Sequence, residues 1–303
     1  MKSANELLMK PRDPGDNGLV IQVGPEQAGW EYIGLEVRRI GEGETFSFSS
    51  PDDEVCLVPT AGEAVVGVGD EEWKISRPGT VFQGKPTALY LPVGSDVRIE
   101  TDAGIEVAIC RSRATKPFPS KLIRPEDIAI EIRGSGNAAR QISHIITPEF
   151  PAHRLLVVEV FTPSGNWSSY PPHKHDISRM PEEADLEEIY YYRIHPQDGF
   201  ALQRLYGPGY DHAWTIRDGD LLQVPEGYHA FCVAHGYTGY YLNVLAGNEA
   251  ERTMQPADDP HYAWVRGTWT EKQVSGLETW EDIEMRINGM AGRRDSLTGG
   301  DRT

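Results

Sequence analysis

The sequence predicts an all-β protein organised as two similar barrels in one chain. Three observations carry that reading: short alternating segments recur along most of the chain, helical periodicity is almost absent, and the second half repeats the phrasing of the first. Regularly spaced short strands punctuated by turn residues point to sandwiches or barrels, and internal repetition points to duplication.

Residues 1–25 carry Pro11, Pro14, Gly15 and Gly18 among charges and read as an N-terminal arm. The first barrel spans 26–132, with strands expected at Gly34-Leu-Glu-Val-Arg-Arg-Ile, Ala64-Val-Val-Gly-Val, Thr87-Ala-Leu-Tyr-Leu and Ile105-Glu-Val-Ala-Ile-Cys. Arg133-Gly-Ser-Gly-Asn-Ala-Ala-Arg140 reads as a linker or binding loop that opens the second barrel, 133–275. Its strands begin near Arg154-Leu-Leu-Val-Val-Glu-Val-Phe and continue through Ile189-Tyr-Tyr-Tyr-Arg-Ile to Tyr240-Tyr-Leu-Asn-Val-Leu. The shared phrase is Arg77-Pro-Gly-Thr-Val-Phe-Gln83 with Leu91-Pro-Val-Gly94, against Arg217-Asp-Gly-Asp-Leu-Leu-Gln223 with Val224-Pro-Glu-Gly227. Segment 276–303 closes the chain with a short amphipathic helix at Leu277–Ile287, where apolar residues recur every three or four positions, and a tail expected to be disordered.

Composition narrows the function classes. With 46 acidic against 29 basic residues the formal charge is −17, which argues against a nucleic-acid partner. An anionic substrate would need local arginines to overcome that field. No apolar run reaches the roughly 18 residues of a membrane span, and the polar start is no secretory leader, so a cytoplasmic protein without a membrane partner is expected. Cys56, Cys110 and Cys232 suit neither a disulfide framework nor a Cys-based metal site; they read as small buried hydrophobes.

The richest stretch is Gly165-Asn-Trp-Ser-Ser-Tyr-Pro-Pro-His173-Lys-His175-Asp176. On an extended backbone His173 and His175 share a face, whereas Lys174 between them turns away. Two downstream features could complete a metal site. In Leu186-Glu187-Glu188-Ile-Tyr-Tyr-Tyr192, alternation puts Glu188 on the face of Tyr190 and Tyr192 and Glu187 on the opposite one; Gly219-Asp-Leu-Leu-Gln-Val-Pro225-Glu-Gly227-Tyr-His229 ends a strand in a turn that presents His229. Three imidazoles and one carboxylate result. His144 and His261 are kept as residues of a pocket rim. Glu187, Tyr190, Tyr192 and Lys174 are the general-base candidates near the site, while Arg140, Arg193 and Arg204 are the arginines nearest these motifs, Arg140 being favoured for a substrate carboxylate.

These two motifs resemble those of the cupin superfamily, with two departures. The interval from His175 to Glu188 is longer than usual, implying an inserted lid over Asp176–Asp185, and His229 lies one residue nearer its glycine. More narrowly, Thr162–Asp176, Leu186–Arg193, Gly199–Arg204, Val224–His229 and Tyr240–Gly247 resemble the 5-deoxy-glucuronate isomerase family of bacterial myo-inositol breakdown, related to 5-keto-4-deoxyuronate isomerase. The resemblance implies two cupin barrels (double-stranded β-helix, jelly-roll), of which the first, lacking a His-x-His, is metal-free. It implies an aldose–ketose isomerase with a small anionic sugar-acid substrate and an enediolate intermediate. The divalent ion would be zinc by preference, with Mn, Fe, Co or Ni open, held by His173, His175, Glu188 and His229. Catalytic roles then fall to Tyr190, Glu187 or Lys174, and substrate contacts to Arg140, Ser169, Tyr170, Tyr192, Arg193 and Arg204. A symmetric homo-oligomer is expected. Another uronate isomerase, a cupin dioxygenase and a non-enzymatic sugar-binding bicupin are the alternatives.

Overall fold

The computed structural model describes residues 4–269. After β1 (Leu8–Met9), the first half supplies β2 (Leu19–Val23), β3 (Ile33–Ile40), β4 (Thr45–Ser50), β5 (Asp53–Val68), β6 (Glu71–Arg77), β7 (Ala88–Leu91), β8 (Ser95–Glu100), β9 (Ile105–Arg113) and β10 (Lys121–Ile123). These nine pair antiparallel in one sheet along the path β10-β7-β5-β9-β3-β2, with β4, β6 and β8 attached. Leu19–Val23, inside the segment read as an arm, is therefore a strand of this sheet. The second half supplies β11 (Ala129–Arg133), β12 (Arg140–Ile146), β13 (Leu156–Thr162), β14 (Trp167–Lys174), β15 (Asp176–Arg179), β16 (Glu183–His195), β17 (Ala201–Gly207), β18 (Tyr210–Ile216), β19 (Leu221–Val224), β20 (Tyr228–Val233), β21 (Thr238–Gly247) and β22 (Ala257–Asp258). They form an eight-stranded sheet, β1-β19-β16-β21-β13-β12-β11 with β15 beside β16, and a five-stranded sheet, β18-β17-β20-β14-β22. The chain is all-β, as the alternating pattern predicts, and the helix expected over 277–287 lies outside the described residues.

An antiparallel sheet usually keeps one face wet and alternates apolar with polar residues. The central strands of the eight-stranded sheet do not: all of β13 is buried, and so is β21 apart from its last residue. Both faces are covered. On one, Val157, Phe161, Ile189, Tyr191, Tyr240 and Leu242 share a core with Val37, Cys56, Val58, Tyr90, Ala108 and Cys110 of the first half. On the other, Val158, Val160, Tyr190, Tyr192 and Tyr241 pack with Leu205, Trp214, Ile216, Phe231 and Val233. Cys56 and Cys110 lie directly opposite each other on β5 and β9 as free thiols, and burial raises both pKa values. Cys232, read as buried, is half-buried.

Polar groups enclosed between the halves are paired across the junction. Arg77 and Glu159, both with fully buried side chains, form an ion pair. The Tyr240 hydroxyl donates to Glu159 at 2.7 Å, and Arg77 donates Nε–H to the Pro59 carbonyl at 2.8 Å. Glu54 accepts the amides of His153, Arg154 and Leu155 at 2.7, 2.6 and 2.7 Å. Removing one partner of such a pair strands the other charge. Arg77→Met is accordingly expected to lower the unfolding free energy by about 3–5 kcal/mol, and the double variant Arg77→Met/Glu159→Leu to regain most of that loss. Urea denaturation of the wild type and both variants checks this.

Candidate metal and substrate site

The eight-stranded sheet places the acidic group by register. On β16, Glu188 lies opposite Val224 of β19 and Leu245 of β21, and Tyr190 opposite Leu222 and Asn243. Alternation sends these inward and Glu187 outward. The imidazoles come from the facing sheet, where His173 near the end of β14 is the direct cross-strand partner of His229 near the start of β20. The turn before His229 requires glycine: Gly227 has φ +95°, and a Cβ there would come within 2.7 Å of the Tyr206 carbonyl oxygen. Its amide donates to Asp176 at 2.6 Å. The long interval between His175 and Glu188 is a hairpin, with β15 pairing back onto the start of β16.

Each histidine uses its ring in the same way. Nδ1 faces a backbone carbonyl in all three: Pro171 for His173 at 3.3 Å, Leu186 for His175 at 3.0 Å, and Gly227 for His229 at 3.3 Å. A carbonyl only accepts, so Nδ1 carries the proton; the neutral rings of His173 and His229 then present the lone pair of Nε2, the orientation that metal-binding histidines need, whereas His175 Nε2 is hydrogen-bonded to the Glu188 carboxylate. His175 Nε2 lies 3.0 Å from Glu188 Oε2. His229 Nε2 lies 3.2 Å from that oxygen, without hydrogen-bond geometry, and is a buried polar atom with no hydrogen-bond partner among the described residues. Burial lowers His173 and His229 to about 3, keeping both neutral. For His175, burial pulls down but the neighbouring Glu188 outweighs it, and the net shift is upward. Ligand atoms of His175, Glu188 and His229 lie within 4.8 Å of one another, and the His173 ring centroid is 4.7 Å from that of His229. An unpartnered buried nitrogen beside a buried carboxylate, with every Nδ1 tied back, fits a bound cation.

The cluster forms one wall of a cavity of about 110 Å³. Ser169, Tyr190, Tyr241 and Arg140 supply its polar groups, and Ile142, Val158, Val160, Leu245 and Met254 its apolar wall. Ser169 has φ +48°, a conformation rare outside glycine and a recurrent mark of functional positions. Its hydroxyl bonds that of Tyr190 at 2.9 Å and approaches that of Tyr241 at 3.4 Å. Burial raises both phenols, which stay protonated. Arg140 is 3% exposed and donates through Nη1 to the carbonyls of Ala138 and Tyr170, at 3.1 and 3.0 Å, with no carboxylate partner among the described residues.

Several residues read as site members are placed elsewhere. Glu187 points away and accepts the amides of Glu31, Tyr32 and Ile33 at 2.6, 2.9 and 2.9 Å, so its carboxylate supports the junction between halves. Lys174 is turned out by alternation and held by Asp176 and Glu183. Arg193 lies on the outward face of β16 and pairs with Glu106 and Asp218 at 2.7 and 2.9 Å. Arg204 sits on the outer surface, paired with Asp211 at 2.7 Å. Tyr192 lies behind Tyr190, stacked on it at 5.7 Å, with its hydroxyl on Gln203 at 3.1 Å. The Tyr170 ring packs on Trp167 at 5.3 Å, and only its carbonyl reaches Arg140. His144 lines the cavity; His261 does not. Tyr241, Asn243 and Arg133 line it as well without having been singled out. Alternation along Tyr240-Tyr-Leu-Asn-Val-Leu places Tyr241, Asn243 and Leu245 on one face, and Arg133 is the cross-strand partner of Arg140.

Comparison with known proteins agrees with the motifs. A model described as the KduI/IolB family matches residues 7–265. The 5-deoxy-glucuronate isomerase of Geobacillus kaustophilus is 41% identical over 265 residues, covering 86% of this chain and 95% of that one. That of Bacillus subtilis strain 168 is 38% identical over 269 residues, covering 86% and 98%. Among solved structures, an IolB-like protein of Salmonella typhimurium LT2 superposes with a TM-score of 0.82 at 34% identity, covering 86% of this chain and 99% of the other. Oxalate decarboxylase of Lactobacillus farciminis, at 12% identity and a TM-score of 0.60 over 94% and 97% of the two chains, shares the fold.

The opposite placement of two adjacent carboxylates is testable. Glu188→Gln or His229→Ala is expected to reduce the bound metal of purified protein at least about tenfold, read by elemental analysis. Glu187→Gln should keep its metal while losing about 1–3 kcal/mol of stability through weakened bonds to the three amides.

Proposed function

The chain belongs to the KduI/IolB family, and from that premise we propose that it is an isomerase converting 5-deoxy-D-glucuronate to 5-dehydro-2-deoxy-D-gluconate, a step of myo-inositol breakdown. The observation that carries this reading is the state of Arg140. It is a buried guanidinium at the cavity without a carboxylate partner among the described residues, whereas Arg133, Arg193 and Arg204 are each neutralised by an acidic neighbour. A planar fork left open beside a cavity suits a carboxylate, and a sugar acid with its carboxylate on Arg140 would direct its aldehyde toward the histidine cluster.

Isomerisation moves a proton between adjacent carbons and passes through an enediolate whose negative charge must be stabilised. A divalent ion held by His173, His175, Glu188 and His229, zinc by preference, would supply Lewis-acid stabilisation of that charge. The remaining work belongs to the chain. Tyr190 and Ser169, both buried and joined by a 2.9 Å hydrogen bond, can donate to a substrate oxygen from a preorganised position. Arg140 binds and orients the carboxylate. The apolar wall of Ile142, Val158, Val160 and Leu245 excludes water and strengthens these interactions.

Two measurements test this. Incubation with 5-deoxy-glucuronate in heavy water, followed by NMR, should show the ketone product with deuterium beside the new carbonyl; its absence overturns the assignment. Chelation should abolish turnover and added zinc restore it. Separately, Arg140→Lys is expected to weaken transition-state binding by about 1.5–3 kcal/mol, the loss of a charge-assisted hydrogen bond, read as a roughly 10- to 100-fold fall in kcat/KM.

A further inference from the structure

The isomerase reading leaves open which group moves the carbon-bound proton. The acid–base groups lining the cavity are few. His173, His175 and Glu188 belong to the metal-ligand cluster, the Tyr190 and Tyr241 hydroxyls are engaged by those of Ser169 and Ser168, and Arg133 and Arg140 are permanent cations. Among the described lining residues that leaves His144, whose imidazole can both accept and donate a proton.

Its surroundings are those of an oriented base. His144 Nε2 lies 3.1 Å from Glu131 Oε2, on the adjacent strand and the same sheet face, since Ala129 is the direct cross-strand partner of His144. Glu131 is itself fixed by Arg133, whose Nε and Nη2 donate to its two oxygens at 2.7 and 2.8 Å. The His144 bond and Arg133 hold the Glu131 carboxyl well below the usual range, so it remains an acceptor and sets the proton on Nε2. Nδ1 is then the basic nitrogen, and it makes no hydrogen bond to another described residue. With its side chain 18% exposed, the ring is reached through the cavity. One cross-strand row, His144–Val158–Asn243–Tyr190, runs from the histidine to the hydroxyl beside the metal cluster.

We infer that His144, oriented by Glu131, is the catalytic base that carries the proton between the two carbons. Nδ1 removes the proton from the hydroxyl-bearing carbon next to the aldehyde, and the electron pair of that bond forms the carbon–carbon double bond of the enediolate. The imidazolium, stabilised by Glu131, returns the proton to the former aldehyde carbon as the hydroxyl oxygen becomes the new carbonyl. The hydroxyl proton passes to the former carbonyl oxygen, so the reaction is internally balanced without an added oxidant. The inference rests on the isomerase reading.

The test uses the metal-loaded, full-length protein with 5-deoxy-glucuronate in heavy water. His144→Gln, which can still bond Glu131, is expected to lose about 100- to 10,000-fold in kcat together with deuterium incorporation, while keeping metal content and melting temperature. His144→Ala should regain part of its turnover with added imidazole, a response that a purely structural role would not give. Glu131→Gln should lose kcat with little change in KM. Wild-type conversion together with His144→Gln turnover within about threefold of it overturns the inference and leaves the isomerase reading standing. Wild type that makes no ketone overturns that reading, and this inference with it.

Discussion

The constraint on which this molecule depends is that the central strands of one sheet have no wet face. Strands β13, β16 and β21 are covered on both sides, so successive residues serve different purposes: the odd positions of Ile189-Tyr-Tyr-Tyr join the first half of the chain, and the even positions face the five-stranded sheet, where Tyr190 reaches the cavity. Glu187 and Glu188 show the rule in its sharpest form. A one-residue slip of β16 would put the site carboxylate into the junction and the junction carboxylate into the site. Register is therefore enforced by both faces at once, and Glu187 resists such a slip because it would lose the three amides it accepts.

Much of this was legible from alternation alone. His-x-His on an extended segment, Glu188 inward with Tyr190, and Lys174 outward all follow from the two-residue period, and the structure places those side chains accordingly. Alternation could also have reached Tyr241 and Asn243. Partner choice was not legible. Arg193 and Arg204 are near the motifs in sequence, but their charges are answered by Glu106 on β9 and Asp211 on β18, pairings that exist only once strands are in register. Arg140 differs in having no such answer among the described residues. Cys56 and Cys110, distant in sequence, became neighbours for the same reason.

The site divides its tasks by wall. The five-stranded sheet brings the histidines, each oriented by a backbone carbonyl in its own sheet or across the gap, and the eight-stranded sheet brings the carboxylate, the phenols and the arginines. Charge is handled by leaving few groups unanswered. In a chain with formal charge −17, a buried guanidinium without a carboxylate among the described residues is a local exception to the field around it, and it lies on the cavity wall.

The shared core also orders events during synthesis. The first half leaves the ribosome with a face that its own strands cannot cover, and must carry that apolar surface until β13, β16 and β21 emerge. β1 waits longer still: Leu8 and Met9 have their ladder partners at Leu222 and Leu221, more than two hundred residues downstream. This strand gains its ladder only after Leu221 and Leu222 have been made, so its docking is a late step that closes one edge of the eight-stranded sheet.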